Sequence, residues 1–298
     1  MWHLFLFLLV STPTGVAQTV TQIDKSVRGF TAYDVLNYTG NAIEGSWNPG
    51  VPLRILGVGD SITVGWGSNL YGGDGNGYRT SLAEHLSEEE VVFAGTKHDG
   101  STKDSYDAAW SGQTIQYMSN HVTPSLKQRP NVILLHAGTN DMDDRPSISE
   151  EGHDPKEAAV RLGKLIDEII KACPDAVILV AIPISSCDEH KNNLPKYRAL
   201  IPGVVRKRRQ DGEHVITVDF STFDIEDLRD CIHPTNDGYS IMGDYWYDFL
   251  TKVPKGWIKE PVGDDPEREE ENEAGKRVWI DKKIALGIGL LWTSFCVS

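Results

Sequence analysis

Five short apolar runs rich in β-formers constrain this chain more than any other feature. They are Leu53 to Val58, Val91 to Ala94, Asn131 to His136, Ala176 to Ile182 and His214 to Val218. Their apolar character is close to continuous, the pattern of strands buried on both faces. Between them lie stretches of helical character: Tyr78 to Ser87, Pro155 to Ala172, Leu194 to Arg209 and Asp237 to Thr251. In the second of these, Ala158, Leu162, Leu165, Ile166, Ile169 and Ile170 share one stripe, and Pro155 sits at a favoured first-turn position. Strands alternating with helices require crossover connections, so the pattern predicts an α/β fold with a parallel sheet covered on both sides. Ligands of such sheets bind beyond the carboxyl ends of the strands. Polar residues that directly follow a strand therefore have the best claim to chemistry.

With 298 residues and 40% apolar composition the chain can bury a sizeable core, and the length suits one α/β domain with terminal extras. The formal net charge of −14 argues against nucleic acid or anionic lipid as the main partner, since both need clustered positive charge. Arg206 to Arg209 is the one dense basic run, and it closes a predicted helix where cations suit the dipole.

The ends read as accessory segments. Residues 1–17, an apolar run ending in small residues at Gly15 and Ala17, read as a secretory signal peptide. An N-terminal extension covers 18–50 and contains the sequon Asn37-Tyr38-Thr39. The main domain is expected at 51–253. An acidic linker follows at 254–283, with eight acids and one base between Glu260 and Glu273, which should repel itself and stay solvated. The apolar tail 284–298 is too short for a comfortable transmembrane helix. Small residues Ala274-Gly275, a polar spacer and this tail resemble a lipid-anchor signal, against the plainer reading of an unstructured end. Four cysteines allow three pairings. Cys187 and Cys231 each follow a strand end by a few residues, so a disulfide between them is expected to pin the loop beyond.

The strand ends supply a coherent set of groups. Gly57 to Thr63, containing Asp60-Ser61, follows the first strand and Gly95-Thr96 the second. Gly138-Thr139-Asn140-Asp141 follows the third, and Asp230-Cys231-Ile232-His233 follows the fifth across a longer loop. A serine acts as nucleophile only when a base takes its proton and a third group holds the base. Ser61, His233 and Asp230 fit those roles in turn, Asp230 lying three residues before His233 on one turn. The Ser61 N–H, the Gly95 N–H and the Asn140 side-chain amide fit an oxyanion hole. Taken alone, Ser61 after Asp60 is an ordinary helix cap and Asn140-Asp141 an Asx turn; the joint pattern favours chemistry.

This pattern resembles the SGNH (GDSL-type) hydrolase superfamily. Gly59-Asp60-Ser61 is similar to its first block, Gly95 to its second, Gly138 to Asp141 to its third and Asp230 to His233 to its fifth. The resemblance covers Leu53 to Lys252 and implies a flavodoxin-like three-layer α/β/α fold on a five-stranded parallel sheet. Within the superfamily, Gly77-Tyr78-Arg79, Phe93 to Thr96 and Trp110 to Ile115 are similar to carbohydrate esterase family 3, which implies acetyl removal from xylan. One departure concerns the stretch before Ser111-Gly112, which reads Tyr106-Asp107-Ala108-Ala109-Trp110 where that family commonly carries histidines.

The resulting expectation is a secreted, monomeric serine esterase acting on short acyl esters, such as acetylated polysaccharide, with neither metal nor organic cofactor. Trp66 and Trp110 flank the motifs and are candidates to stack on sugar rings, with core packing as the competing reading. Asp60 and Asp141 read as loop supports, His136 as a packed core histidine, and Gly72 to Gly77 as a flexible rim loop. Two alternatives keep the scaffold: a lipase or lysophospholipase acting on longer chains, and a carbohydrate-binding protein without turnover.

Overall fold

The computed structural model describes residues 35–40, 49–188, 191–271 and 277–279. The expected signal peptide, the terminal apolar tail and Cys296 lie outside the described residues.

Eight strands form one sheet: β1 (Val35–Asn37), β2 (Leu53–Gly59), β3 (Val91–Ala94), β4 (Lys97–His98), β5 (Tyr106–Ala109), β6 (Val132–His136), β7 (Val177–Ile182) and β8 (Val215–Asp219). The helices are α1 (Ser61–Val64), α2 (Arg79–His85), α3 (Ile115–His121), α4 (Thr123–Leu126), α5 (Pro155–Ala172), α6 (Leu194–Gln210) and α7 (Asn236–Thr251). The five strands expected from the apolar runs are β2, β3, β6, β7 and β8. They lie side by side as β3-β2-β6-β7-β8, every neighbouring pair parallel. In chain order that is 2-1-3-4-5, the flavodoxin-like arrangement, whose order reverses between β2 and β6. The crevice at that reversal opens directly after Gly59 and His136, next to Ser61 and Asn140.

Three strands escaped the apolar pattern. Strand β1 adds a sixth parallel strand through Val35↔Thr217 to Asn37↔Asp219. On the far side of β2, β3 covers Leu53 to Leu56 and β5 takes over beside Val58 and Gly59. Strand β4 then pairs antiparallel with β5. These strands have two to four residues each, too few to show a period.

Helices cover both faces. On one, α2 packs against α7; on the other, α5 contacts both α3 and α6. Helix α5 starts where the sequence predicts, because Asp154 caps it by accepting from the Lys156 and Glu157 N–H groups. It buries Leu162, Leu165, Ile166 and Ile169, each contributing about 1.5–3 kcal/mol. The opposite layer is aromatic, with Phe220, Trp246 and Phe249 packed edge to face.

Part of the segment expected as an acidic linker lies as a belt against the domain up to Arg268, with Glu260, Val262, Asp264 and Glu267 exposed to solvent. Arg54, buried within β2, donates to the Val262 and Gly263 carbonyls at 3.0 Å each and to Asp265 at 2.9 Å. Asn131 donates to the Lys259 carbonyl at 2.6 Å, and the Arg268 guanidinium lies 3.8 Å from the Tyr106 ring centre. A buried guanidinium needs acceptors, and the belt supplies them. Pairing with Arg54 also removes the self-repulsion that composition alone implies for Asp265.

Candidate active site

The nucleophile candidate emerges from a tight junction. Strand β2 runs buried to Gly59, and Ser61 opens the one-turn helix α1. A side chain on Gly59 would lie 2.1 Å from the Thr63 hydroxyl and 2.5 Å from the His136 carbonyl, so only glycine lets the helix fold back this closely. Asp60 is the N-cap, its carboxylate accepting from the Ile62 N–H at 3.0 Å. Complete burial pushes its carboxyl up to about 7 against that bond and the Lys191 charge. Its contacts are those of a loop support. Arg79 clamps the other end of α1 by donating to the Thr63 carbonyl at 2.6 Å and the Val64 carbonyl at 3.2 Å.

Ser61, His233 and Asp230 meet in one line. The Ser61 hydroxyl lies 2.8 Å from His233 Nε2, and His233 Nδ1 lies 2.9 and 3.1 Å from the two Asp230 oxygens. This assigns the proton on His233 to Nδ1 and leaves Nε2 to accept from the serine. Asp230 also accepts from the backbone N–H groups of Ile232 at 3.2 Å and His233 at 2.8 Å, so it shapes the turn that it polarises. Burial raises the Asp230 carboxyl, but these bonds and the facing imidazole outweigh it, leaving it below the usual carboxylate range. His233 moves down from 6.5 because burial disfavours the imidazolium more than Asp230 supports it. The site therefore holds a neutral imidazole at neutral pH, the form that can take a proton.

The turn bearing these residues is fastened from several sides. Cys231 adopts φ +68°, a conformation a side-chain-bearing residue rarely holds unaided. The expected disulfide to Cys187 is present, and the Cys187 N–H donates to the Cys231 carbonyl at 3.1 Å. The Arg229 N–H donates to the His233 carbonyl at 2.7 Å. The Trp66 ring lies 4.4 Å from the imidazole centre, and the Trp66 backbone N–H donates to the Ser61 carbonyl at 2.9 Å.

Asn140 stands at the exit of β6, and one of its amide hydrogens is taken by the Gln113 carbonyl at 3.0 Å. The amide is thereby oriented with a second hydrogen to offer. Asp141 supports it from within the core, accepting from the Ile115 N–H at 2.9 Å and from Arg161 at 2.9 and 3.1 Å.

Gly95 does not belong to this group. Leu56 pairs with Ala94, so Gly95 sits level with Gly57, below the rim where Ser61 lies. Its N–H is committed to the Gln128 side chain at 2.7 Å. Its φ of +147° and the Asp107 backbone, 2.2 to 2.4 Å from a notional Cβ, explain the glycine by packing alone. The segment beside Ser61 is instead the turn after β5, where the Gln113 N–H donates to the Trp110 carbonyl at 3.2 Å and Gly112 takes φ +74°.

The two tryptophans part company. Trp66 is 44% exposed at the rim, whereas Trp110 is half-buried and packs edge-on against Tyr117 and near His121 of α3. His136 is fully buried, accepts from the Ile184 N–H at 3.3 Å and is pushed down to about 4 by burial, as a core histidine should be. Two supports were not singled out by the spacing: Arg79, whose guanidinium is 3.0 Å from buried Asp107, and Lys191, buried and 2.8 Å from Asp143. Arg79 carries a signal only through the Gly77-Tyr78-Arg79 motif, and Lys191, in the polar run from Asp188 to Asn193, carries none.

Known proteins place this geometry. The GDSL-like lipase/acylhydrolase family profile matches residues 58–241. The structure superposes on a family 3 carbohydrate esterase of Clostridium thermocellum with TM-score 0.53 and 27% identity, covering 66% of this chain and 94% of that one. The fold also matches a family 3 carbohydrate esterase from Talaromyces cellulolyticus, with TM-score 0.56 and 18% identity over 67% of this chain and 97% of that one. A multidomain esterase of Ruminococcus flavefaciens is 29% identical over 251 residues, which are 71% of this chain and 29% of that protein. The chain thus spans less than a third of that relative's length. The family profile covers the nucleophile turn, the Asn140 block and the Asp230–His233 turn together: this chain belongs to the GDSL-like lipase/acylhydrolase family.

Proposed function

We propose that the protein is a secreted serine esterase that removes short acyl groups, acetyl foremost, from plant cell-wall polysaccharide such as xylan. The observation that carries this is the unbroken line from Asp230 through His233 to the Ser61 hydroxyl. Ser61 Oγ attacks the ester carbonyl carbon while His233 Nε2 takes its proton. The carbonyl oxygen becomes an oxyanion held by the Ser61 N–H, first in α1 and so without an intrahelical acceptor, and by the outward hydrogen of Asn140. Collapse breaks the bond to the alcohol oxygen, which takes the proton from His233. Water, deprotonated by the same nitrogen, then attacks the acyl-enzyme; the acid leaves and Ser61 recovers its proton.

Asp230 contributes by holding the tautomer and stabilising the imidazolium that forms twice per cycle. In this reading Trp66, exposed beside His233, contacts the alcohol part of the substrate, and Trp110 packs against Tyr117. The carbohydrate part of the assignment draws support from the carbohydrate esterase of Clostridium thermocellum among the relatives. The expected monomer and absence of a cofactor belong to the same reading. Hydrolysis of 4-nitrophenyl acetate to octanoate, run beside acetylated xylan, tests it. Activity confined to short chains and to xylan acetyl supports the reading. A preference for long chains returns the lipase alternative, and equal turnover by a Ser61→Ala variant removes the mechanism.

A further inference from the structure

Beside Trp66 the rim opens into a groove of about 670 Å³ whose walls include Trp66, Asn69, Leu70, Asp74, Asp99 and Ser101. The reaction just described uses Trp66 alone among these. Three observations give the groove a character. First, of the six large hydrophobic residues exposed among the described residues, three fall in this one loop: Trp66, Leu70 and Tyr71. Single exposed apolar residues need no explanation, but a run of them at a cleft does. Second, Asn69 and Ser101 bring an amide and a hydroxyl to the wall beside these apolar side chains. Third, two carboxylates and no Lys or Arg line the walls. Asp74 is occupied with its own loop, accepting from the Asn76 N–H at 2.9 Å and from the Thr80 hydroxyl, but its charge remains.

An apolar ring face beside acceptors and an exposed amide is the chemistry that binds a neutral sugar. The C–H face of a pyranose covers the indole while its hydroxyls donate to carboxylates. Phosphate and carboxylate groups are repelled by the same walls. The groove also adjoins the serine and histidine, because the Trp66 ring lies against the His233 imidazole and the Trp66 backbone N–H donates to the Ser61 carbonyl. We propose that this groove binds a neutral pyranose unit of the substrate's polysaccharide chain. Trp66 and Leu70 form the platform, and Asp99 and Asn69 accept and donate to the hydroxyls. The groove then selects the alcohol side of the ester, independently of the acyl group. The proposal deepens the esterase reading and rests on it for the identity of the substrate.

Calorimetric titration with xylotetraose tests it without turnover. Wild-type protein is expected to bind, and Asp99→Asn and Leu70→Ala, each with an unchanged melting transition, are expected to lose at least tenfold in affinity. The same titration with dihexanoylphosphatidylcholine should give no binding. Variants that bind xylotetraose as tightly as wild type overturn the proposal, as does a wild type that takes the phospholipid and ignores the sugar. Failure of the esterase reading shows separately, as a wild type that binds xylotetraose yet leaves acetyl esters intact.

Discussion

The imidazole of His233 and the hydroxyl of Ser61, 172 positions apart in the chain, are 2.8 Å apart in space. The contact joins the exit of the second strand to a turn after the last one, and Asp230 completes it from the far side of the ring. If the contact is the proton path, Ser61→Ala and His233→Ala should each lower kcat on 4-nitrophenyl acetate by a factor on the order of 10⁴ to 10⁶. The double variant should be no worse than either single one, because the pair acts as a unit. Additive losses would show two independent roles.

The pH profile follows from the direction of the His233 shift. Burial lowers its pKa below 6.5, so the neutral base persists until the pH falls beneath that value. The acid limb of kcat/KM should therefore lie below pH 6.5. In Asp230→Asn the support that raises the His233 pKa is gone, so the remaining activity should show a limb displaced further toward acid. A limb above 6.5 in the wild type would contradict the burial argument.

Asn140 and Gly95 separate catalysis from packing. Removing one oxyanion donor typically costs 10²–10³ in kcat, and Asn140→Ala should fall in that range with little change in melting temperature. Gly95→Ala drives a methyl into the Asp107 backbone. It should lower the melting temperature, while the protein that still folds keeps a kcat near wild type. Side-by-side thermal scans and active-site-titrated kinetics distinguish the two outcomes.

The Cys187–Cys231 bridge closes a loop of 44 residues at the turn that bears Asp230 and His233. Loop entropy alone gives it about 4 kcal/mol. Cys187→Ser, which leaves the left-handed Cys231 position untouched, should lower the melting temperature by roughly 8 °C or more. It should also lower kcat/KM, since the turn bearing Asp230 and His233 loses its covalent tie. Unchanged kinetics after complete reduction would show that hydrogen bonds suffice to hold the turn.

Truncation after Val253 removes the acceptors that the belt offers to buried Arg54. Arg54 keeps its bond to the Gln128 carbonyl and gains water, so the main loss is that of buried Ile258 and the belt's other packing; at about 1.5–3 kcal/mol the shortened protein should melt roughly 3 °C or more lower. Asp265→Ala alone should cost far less, because that carboxylate is about a third exposed and solvent screens it.

How far this was legible in the chain differs by element. The apolar runs at β2, β6, β7 and β8 are long and buried throughout, and their pattern alone places them in a covered parallel sheet. Strands β1, β4 and β5 are short and owe their existence to the neighbours they pair with. The meeting of Ser61, His233 and Asp230 was readable because the chemistry proposed for them demands particular residue types after strands. Gly95 misled for an instructive reason. A glycine after a strand announces a close approach, but the sequence does not say to what, and here the approaching group is the Asp107 backbone.

Residue types and their order determined the fold class, the succession of the five core strands, the Ser61–His233–Asp230 grouping and the cysteine pair, since each leaves a local mark in composition or spacing. Register and long-range pairing were decided only in three dimensions. Whether a strand ends at the rim or short of it turns on which neighbour's hydrogen bonds it takes. Whether an acidic tail is solvated turns on whether a buried arginine is waiting for its carbonyls. The groove beside Trp66 is likewise a product of two loops meeting, 65–75 and 99–101, and no local pattern in either one records the meeting.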